Sequence, residues 1–336
     1  GGMNYDFLVR AEELELRYRG PRPGLRLAFG RTGLAWAEWR EAAAAKLGEV
    51  LAVDAAVTAG AVTELRRTTT EGVEVVALVM AVGGGLSVPA YLLNPGGPRV
   101  VMALHGHGQV DECLRIAGVY EDYHHNFAIE LAKAGHTVLL PELRGFGALS
   151  DLAAQRDGES LSYWRWGEHM VYPLLTDLFQ RGRTLMGDTI EDLLRWEDWL
   201  DAECDVVGIS WGGDLACTYP VFSRRVRSIF ASGTLGSFEA VFAEAGNAPA
   251  HCIPGVLEWF DRADIAGLNA PRRLDLHYGA LDRDGSAAYN RTAPEAFARL
   301  QEIYAAAGAP DDVTLHVTEG IGHEMDVELL LNFLSS

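Results

Sequence analysis

The chain has 336 residues, is 49% hydrophobic and carries a formal net charge of −19 at pH 7. A chain of this length and apolar content can bury a large core, either as one big domain or as a core with a small accessory unit. The acidic balance argues against nucleic acid or an anionic membrane as a partner, because both bind positively charged surfaces.

The start of the chain and its cysteines predict a soluble cytoplasmic protein. Gly1 and Gly2 precede Met3 in the manner of a tag remnant, and nothing after Met3 has the basic, apolar and small-residue order of a signal peptide. An uncharged stretch over 75–93 is long enough for a membrane helix, but its consecutive glycines and Pro89 favour two strands joined by a turn. The cysteines are widely spaced, which favours free thiols over two disulfides.

The first part of the chain, residues 1–61, is predicted to be a helical N-terminal extension. Good helix formers predict one helix over 34–47, which Gly48 should end. From residue 62 the segments become short and rich in β-branched residues, as is typical of strands. The first four predicted strands cover 62–70, 73–82, 88–92 and 98–104.

The remainder alternates between helices and strands. Helices are predicted over 127–134, 188–200, 294–307 and 324–333, and strands over 136–140, 204–209, 227–231, 274–278 and 313–317. Residues 151–183 are expected to be irregular and aromatic. This alternation predicts an α/β fold with a mostly parallel central sheet and helices on both faces. We therefore expect one catalytic domain over 62–336, with cap-like insertions at about 148–183 and 235–269.

The strand over 204–209 runs into Gly208-Ile209-Ser210-Trp211-Gly212, and helix-forming residues follow. A strand that turns sharply into a helix leaves a serine exposed at its tip, which is the context of a nucleophile elbow. Flanking glycines are needed there because a side chain would collide with the adjoining strand and helix. The pattern predicts Ser210 as a catalytic nucleophile. An ordinary glycine-containing turn is the alternative.

Two further groups follow predicted strand ends, Asp282 after 274–278 and His323 after 313–317. A serine hydroxyl becomes a useful nucleophile when an imidazole takes its proton, and a carboxylate can hold that imidazole in the right tautomer. We therefore predict His323 as the base and Asp282 as its acidic partner. Asp284 is the nearby rival for the acid, and His251 is the main rival for the base.

A serine nucleophile also needs backbone N–H groups directed at the developing oxyanion. One donor should be the N–H of Trp211, directly after the nucleophile. The other should come from the turn His105-Gly106-His107-Gly108 after the fourth strand, where His107 is the expected donor. His105 and His107 also form an H-x-H pair, but alternating residues at a strand end face opposite ways, so no metal site is predicted.

Together these motifs resemble the α/β-hydrolase superfamily, in particular the branch of dienelactone hydrolases and acetyl xylan esterases and the related prolyl-oligopeptidase-type catalytic domains. The order Ser210, Asp282, His323 is that of this fold. The other matching pieces are His105-Gly106-His107-Gly108, Leu143-Arg144-Gly145-Phe146-Gly147, Ala270-Pro271-Arg272 and Gly279-Ala280-Leu281. Within the fifth-strand loop we expect Glu142 and Arg144 to form a structural ion pair or to brace the loop.

The resemblance implies a cofactor-independent serine hydrolase that cleaves an ester of a small or medium, partly apolar substrate. C–C bond, lactone or amide hydrolysis with the same triad is the alternative, and a non-catalytic binding protein on the same fold is a third reading. The substrate pocket is expected to include Tyr163, Trp164, Trp166 and Trp259, because insertions in this fold lie over the strand ends. The partner is a small molecule, and a homodimer is left open.

Overall fold

The computed structural model describes residues 24–107, 122–146, 171–238, 249–284 and 288–336. They contain a single sheet of nine strands. In chain order these are β1 Val62–Thr70, β2 Val73–Gly83, β3 Leu86–Leu93, β4 Val100–Leu104, β5 Thr137–Pro141, β6 Cys204–Ile209, β7 Val226–Ser232, β8 Arg273–Gly279 and β9 Val313–Thr318. Each predicted strand is present, and most bounds agree within two residues.

The order of strands across the sheet is β1-β2-β3-β5-β4-β6-β7-β8-β9. Six strands, β5, β4, β6, β7, β8 and β9, run parallel to one another. The strands β1, β2 and β3 form an antiparallel edge, and β3 pairs antiparallel with β5. The prediction of a mostly parallel sheet is therefore confirmed. The strand order reverses direction at β4, which lies between β5 and β6, and such a switch point is where open α/β sheets bind ligands.

Helices cover both faces of the sheet, as predicted. They are α1 Trp36–Leu51, α2 Phe127–Lys133, α3 Val171–Gln180, α4 Leu185–Leu200, α5 Trp211–Thr218, α6 Arg262–Gly267, α7 Ala293–Ala306 and α8 Val327–Ser335. Apolar side chains of α1, α4, α5 and α7 share one buried cluster, and those of α2 and α8 share another on the opposite face. Fully buried strands such as β6 lie between these two cores.

The helix near the start of the described chain is longer than the sequence predicted. Gly48 does not end it: the helix continues to Leu51, and Ala52 in the left-handed conformation follows as its C-cap. A Cβ at Gly48 would lie 3.3 Å from the ring of Phe222, so the glycine serves close packing rather than termination. Trp39 and Leu47 are fully buried in the main core, so α1 is part of the packed structure.

Several other elements differ from prediction: α4 begins three residues earlier than predicted, and α6 is a helix where none was predicted. Part of the interval expected to be irregular is helical, namely α3 over Val171–Gln180. The last helix begins three residues later than predicted, because Asp326 caps it by accepting a hydrogen bond from the N–H of Leu329 at 3.0 Å. This leaves His323 in a loop. Within the described ranges, no helix is both long and apolar enough to cross a membrane.

Candidate active site

The parallel register gathers the loops that follow five neighbouring strands at one edge of the sheet. Leu104 of β4 is paired with Gly208 of β6, and Ile209 of β6 is paired with Ser232 of β7. On the other side of β7, Gly279 of β8 is paired with Thr318 of β9. The carboxyl ends of these strands therefore bring the predicted oxyanion loop, nucleophile, acid and base to a common region beside the switch point.

Ser210 occupies a strained turn between β6 and α5. Its φ is 57° and its ψ is −117°, a combination that non-glycine residues rarely adopt. Its N–H donates to the carbonyl of Ser232 at 2.9 Å, and its own carbonyl accepts from Asp214 N–H at 3.0 Å. A side chain at Gly212 would overlap the carbonyl oxygens of Leu104 and His105, so the glycine allows the helix to start against β4. This is the geometry of a nucleophile elbow.

His323 and Asp282 are in direct contact. Nδ1 of His323 lies 2.7 Å from Oδ2 of Asp282, although the two residues are 41 positions apart in the chain. Asp282 is 1% exposed. The same carboxylate oxygen accepts a hydrogen bond from Nδ2 of Asn290 at 3.1 Å. Nδ1 of His323 therefore carries the proton, which leaves a lone pair on Nε2. The side chain of Asp284, the rival acid, lies outside the described part.

His323 also lies next to the backbone that holds Ser210. A Cβ added to Gly233 would be 2.8 Å from Cε1 of His323, and Gly233 directly follows Ser232, whose carbonyl binds the Ser210 N–H. A glycine with φ of 64° is thus required where the ring passes the chain. The side chain of His323 remains 19% exposed. This arrangement places an oriented imidazole beside the nucleophile turn.

A second histidine–carboxylate pair lies on the other side of the turn. Nδ1 of His251 contacts Oδ2 of Asp214, and Nη2 of Arg262 lies 3.3 Å from the same oxygen. Oδ1 of Asp214 accepts from the hydroxyl of Thr234. Burial lowers the pKa of His251, and it opposes ionisation of Asp214, but Arg262 and His251 outweigh it and lower the Asp214 pKa. This pair is a buried, hydrogen-bonded brace.

The loop after β4 is held by side chains on both sides of Gly106. Nδ1 of His105 donates to the carbonyl of Gly106 at 2.6 Å, and Nε2 accepts from Leu143 N–H at 3.1 Å. Burial lowers the pKa of His105 to about 3, so the ring stays neutral and keeps this tautomer. The N–H of Gly106 donates to Nε2 of His124 at 2.9 Å. His105 therefore fixes the peptide plane that contains the His107 N–H, and His124 fixes the peptide plane before it.

Aromatic rings line the side of the site formed by the two predicted oxyanion residues. The ring of His251 is stacked on that of His107, with centroids 5.4 Å apart, and meets Trp211 edge-on at 4.9 Å. Phe146 packs edge-on against His107 at 5.1 Å. Trp211 is fully buried, so its side chain packs against His251 and the core rather than facing solvent. His251, which the sequence suggested only as a rival base, supports both predicted oxyanion residues.

Arg144 braces the loop that carries Phe146, but its partners differ from the prediction. It does not depend on Glu142: its guanidinium forms two hydrogen bonds with Asp192, at 2.6 and 2.9 Å, and one with Asp188 at 3.1 Å. Both carboxylates lie on α4. This ion cluster ties the loop after β5 to a core helix and thereby presents Phe146 to the site.

Of the predicted pocket residues, only Trp259 belongs to the described part; Tyr163, Trp164 and Trp166 lie outside it, as does Gly108. The Trp259 ring contacts two cations, Arg26 at 4.6 Å and Lys46 at 4.3 Å. These contacts join it to the start of the described chain and to α1, and its place in the substrate pocket stays a prediction. In the described ranges, no three His, Cys, Asp or Glu side chains converge as metal ligands would.

Sequence reasoning missed several residues that contact the predicted site, namely Tyr123, His124, Asn290 and Asp214. Asn290 and Asp214 lie in no recognisable motif, and their partners are distant in sequence. The pair His124-His125 lies directly before α2, but only the fold reveals that His124 binds Gly106.

No family model and no curated protein sequence matches the chain. Among solved structures, a Bacteroides fragilis protein proposed to be an acetyl xylan esterase is similar, with a TM-score of 0.74, 16% identity and coverage of 99% of this chain and 97% of that one. A glucuronoyl esterase from Solibacter usitatus aligns with a TM-score of 0.61 and 14% identity over 94% of this chain and 97% of its own. Acetyl xylan esterase 1 from Thermoanaerobacterium aligns with a TM-score of 0.54 and 16% identity over 97% of each chain. The chain has the α/β-hydrolase fold.

Proposed function

We propose that the chain is a serine hydrolase acting on carboxylic esters, in which Ser210 is the nucleophile, His323 the general base and Asp282 the residue that orients it. The observation that carries the proposal is the 2.7 Å contact of His323 Nδ1 with Asp282, beside a serine held at φ 57° between strand and helix. The fold shared with three esterase structures supports the same reaction class.

The proposed reaction follows from the tautomer of His323. Because Asp282 accepts the Nδ1 proton, Nε2 can take the proton of Ser210 as its Oγ attacks the ester carbonyl. The imidazolium then donates that proton to the leaving alcohol as the C–O bond breaks. Water repeats the sequence on the acyl-enzyme: it loses a proton to His323, releases the carboxylic acid and restores the Ser210 hydroxyl. Asp282 stabilises the imidazolium in both halves.

The oxyanion would be held by two backbone donors. Trp211 is the first residue of α5, where helical N–H groups lack an intrahelical acceptor and the helix dipole favours negative charge. His107 N–H would be the second donor, in a loop whose neighbouring carbonyl is bound by His105. Losing one such donor typically costs roughly 3–4 kcal/mol of barrier.

The substrate proposed from the sequence is a small or medium, partly apolar ester, hydrolysed without a cofactor. The solved esterases of this fold carry names that refer to acetylated xylan and glucuronoyl esters. We therefore propose acetylated and uronoyl sugar esters as the first compounds to test beside simple acyl esters. The cytoplasmic location, the boundary at residue 62 and a homodimer stay predictions.

A fluorophosphonate probe tests the nucleophile and the base together. Wild type should be labelled and Ser210→Ala should not be; equal labelling of both would refute the assignment. His323→Ala should lose labelling, whereas His251→Ala should still be labelled, though more slowly, because His323 is bound to Asp282 and His251 packs against the predicted oxyanion residues. The opposite result would make His251 and Asp214 the working pair.

Replacing the acid tests the third member. Asp282→Asn should lower kcat roughly 10⁴-fold, because an amide would donate to Nδ1 and impose the wrong tautomer. Circular dichroism and thermal unfolding should show an intact fold. A loss below about tenfold would transfer the role to Asp284. Failure of wild type to cleave any ester, amide or lactone in a broad panel would favour a non-catalytic binding protein.

A further inference from the structure

A short segment, residues 122–125, connects the loop after β4 with the loop after β9. On the β4 side, Nε2 of His124 accepts the Gly106 N–H at 2.9 Å, and its Nδ1 lies 2.9 Å from Oδ2 of Asp122. The hydroxyl of Tyr123 donates to the carbonyl of His107 at 2.7 Å. His124 is fully buried. The segment therefore binds the peptide group before Gly106 and the peptide group after His107.

The same segment contacts the loop that carries His323. The ring of Tyr123 lies parallel to the His323 ring within 25°, with centroids 5.5 Å apart. The carbonyl of Tyr123 accepts the Met325 N–H at 2.9 Å. Two residues after Tyr123, Nε2 of His125 lies 2.9 Å from Oε1 of Glu324. Tyr123 thus contacts the predicted base with its ring and the predicted oxyanion loop with its hydroxyl.

We infer that Tyr123 is a positioning residue that fixes the oxyanion loop and the base relative to each other; this inference rests on the proposed function. Its ring supports one face of His323, while Asp282 holds Nδ1. Its hydroxyl restrains the carbonyl of His107, while His105 restrains the preceding carbonyl of Gly106. The two actions use different parts of one side chain, so they can be separated by substitution.

Tyr123→Phe removes the hydroxyl and keeps the ring, so it should loosen the oxyanion loop alone. We expect kcat/KM to fall about tenfold, less than the loss of a whole oxyanion donor. The fall should be the same for a nitrophenyl ester and an alkyl ester, because both develop the same oxyanion. KM should change less than about twofold, since the interaction acts on the transition state.

Tyr123→Leu also removes the ring support of His323. A nitrophenolate leaves without being protonated, whereas an alkoxide needs the proton that His323 delivers. Relative to Tyr123→Phe, we therefore expect a further loss of about tenfold for the nitrophenyl ester, for which His323 acts only as base, and a larger further loss for the alkyl ester, for which it must also deliver the proton. Tyr91→Phe is the matched control: it removes the hydroxyl that accepts from Arg66 on the exposed face of the β1–β3 edge, and activity should be unchanged.

The time course of fluorophosphonate labelling separates positioning from partial unfolding. A positioning defect lets every site react, about tenfold more slowly, whereas a sample that contains irreversibly unfolded protein reaches a lower end point at the wild-type rate. Wild-type rates for Tyr123→Phe, or a lowered end point with an unchanged rate, would overturn the inference and leave the proposed function standing. Equal labelling of wild type and Ser210→Ala would instead refute the proposed function and the inference with it.

Discussion

Gly233 offers a way to displace His323 without touching any polar group of the site. A Cβ there would lie 2.8 Å from Cε1 and 3.1 Å from Nδ1 of His323, whereas ordinary contact begins at 3.4 Å. In Gly233→Ala the separation from Cε1 must therefore increase by at least 0.6 Å, the difference between 3.4 and 2.8 Å. This movement would disturb the 2.7 Å contact of Nδ1 with Asp282.

A shift of about 1 Å in a catalytic group can cost about 100-fold in rate, so we expect kcat for Gly233→Ala to fall by roughly 10- to 100-fold. The alanine would also adopt a φ of 64°, which costs roughly 1–2 kcal/mol of stability. Ester hydrolysis at substrate saturation and urea unfolding measure the two effects separately.

Gly308→Ala is the control for the backbone term. Gly308 has a φ of 79°, and no atom lies within 4 Å of its added Cβ. We expect a similar loss of unfolding free energy and wild-type kcat. Full activity in Gly233→Ala, or an equal loss of activity in both variants, would refute the argument that His323 packs against Gly233.

Three further predictions concern stability. Burial lowers the pKa of His277 from 6.5 to about 4, so as the pH falls the unfolded chain binds a proton at this histidine before the folded chain does. The stability that neutral His277 contributes above about pH 6.5 is therefore lost progressively between about pH 6.5 and pH 4. In His277→Gln, the decline of the unfolding free energy between about pH 6.5 and pH 5 should be shallower by up to about 1.4 kcal/mol per pH unit. Arg144→Ala should lower the free energy of unfolding by about 1.5–3 kcal/mol, because the buried Asp188 and Asp192 lose its hydrogen bonds and keep only Arg183 and Arg195 as partners, whereas Arg181→Ala, which breaks an exposed pair with Asp177, should cost about 1 kcal/mol or less in the same urea titration. Leu47→Ala should lower the free energy of unfolding by roughly 2–5 kcal/mol, since this fully buried side chain belongs to the main core. The variant should keep a single calorimetric transition, and a separate early transition would show that α1 unfolds independently.

The sheet was predictable because each strand is an apolar or β-branched run bounded by turn residues. The strand over Cys204–Ile209 was found at its observed bounds for this reason. Helix ends were less predictable, because they depend on local capping and packing. Gly48 lies inside a helix, where an added Cβ would be 3.3 Å from the ring of Phe222, and Asp326 caps α8, which begins three residues after its predicted start.

The contact between Asp282 and His323 could be anticipated from strand order alone, since parallel neighbours end at the same edge of the sheet. The contact of Tyr123 with His323 could not. Tyr123 lies in a connection before α2, without periodicity or motif, and the two rings come together only through the packing of distant loops. Nor could the sequence anticipate that the ring of Trp259 contacts the cations Arg26 and Lys46, which lie far from it in the chain.

Burial distinguishes the histidines that surround the nucleophile turn. His105 and His251 are each locked by hydrogen bonds, and burial lowers the pKa of both, so they stay neutral and hold peptide groups or rings in place. A general base must instead gain and lose a proton in every cycle, which requires a partner for the imidazolium and access to the reacting groups. Among these three, His323 combines a buried carboxylate partner with a side chain that is 19% exposed. The environment of each ring, rather than its nearness to a carboxylate, therefore favours His323 as the proposed base.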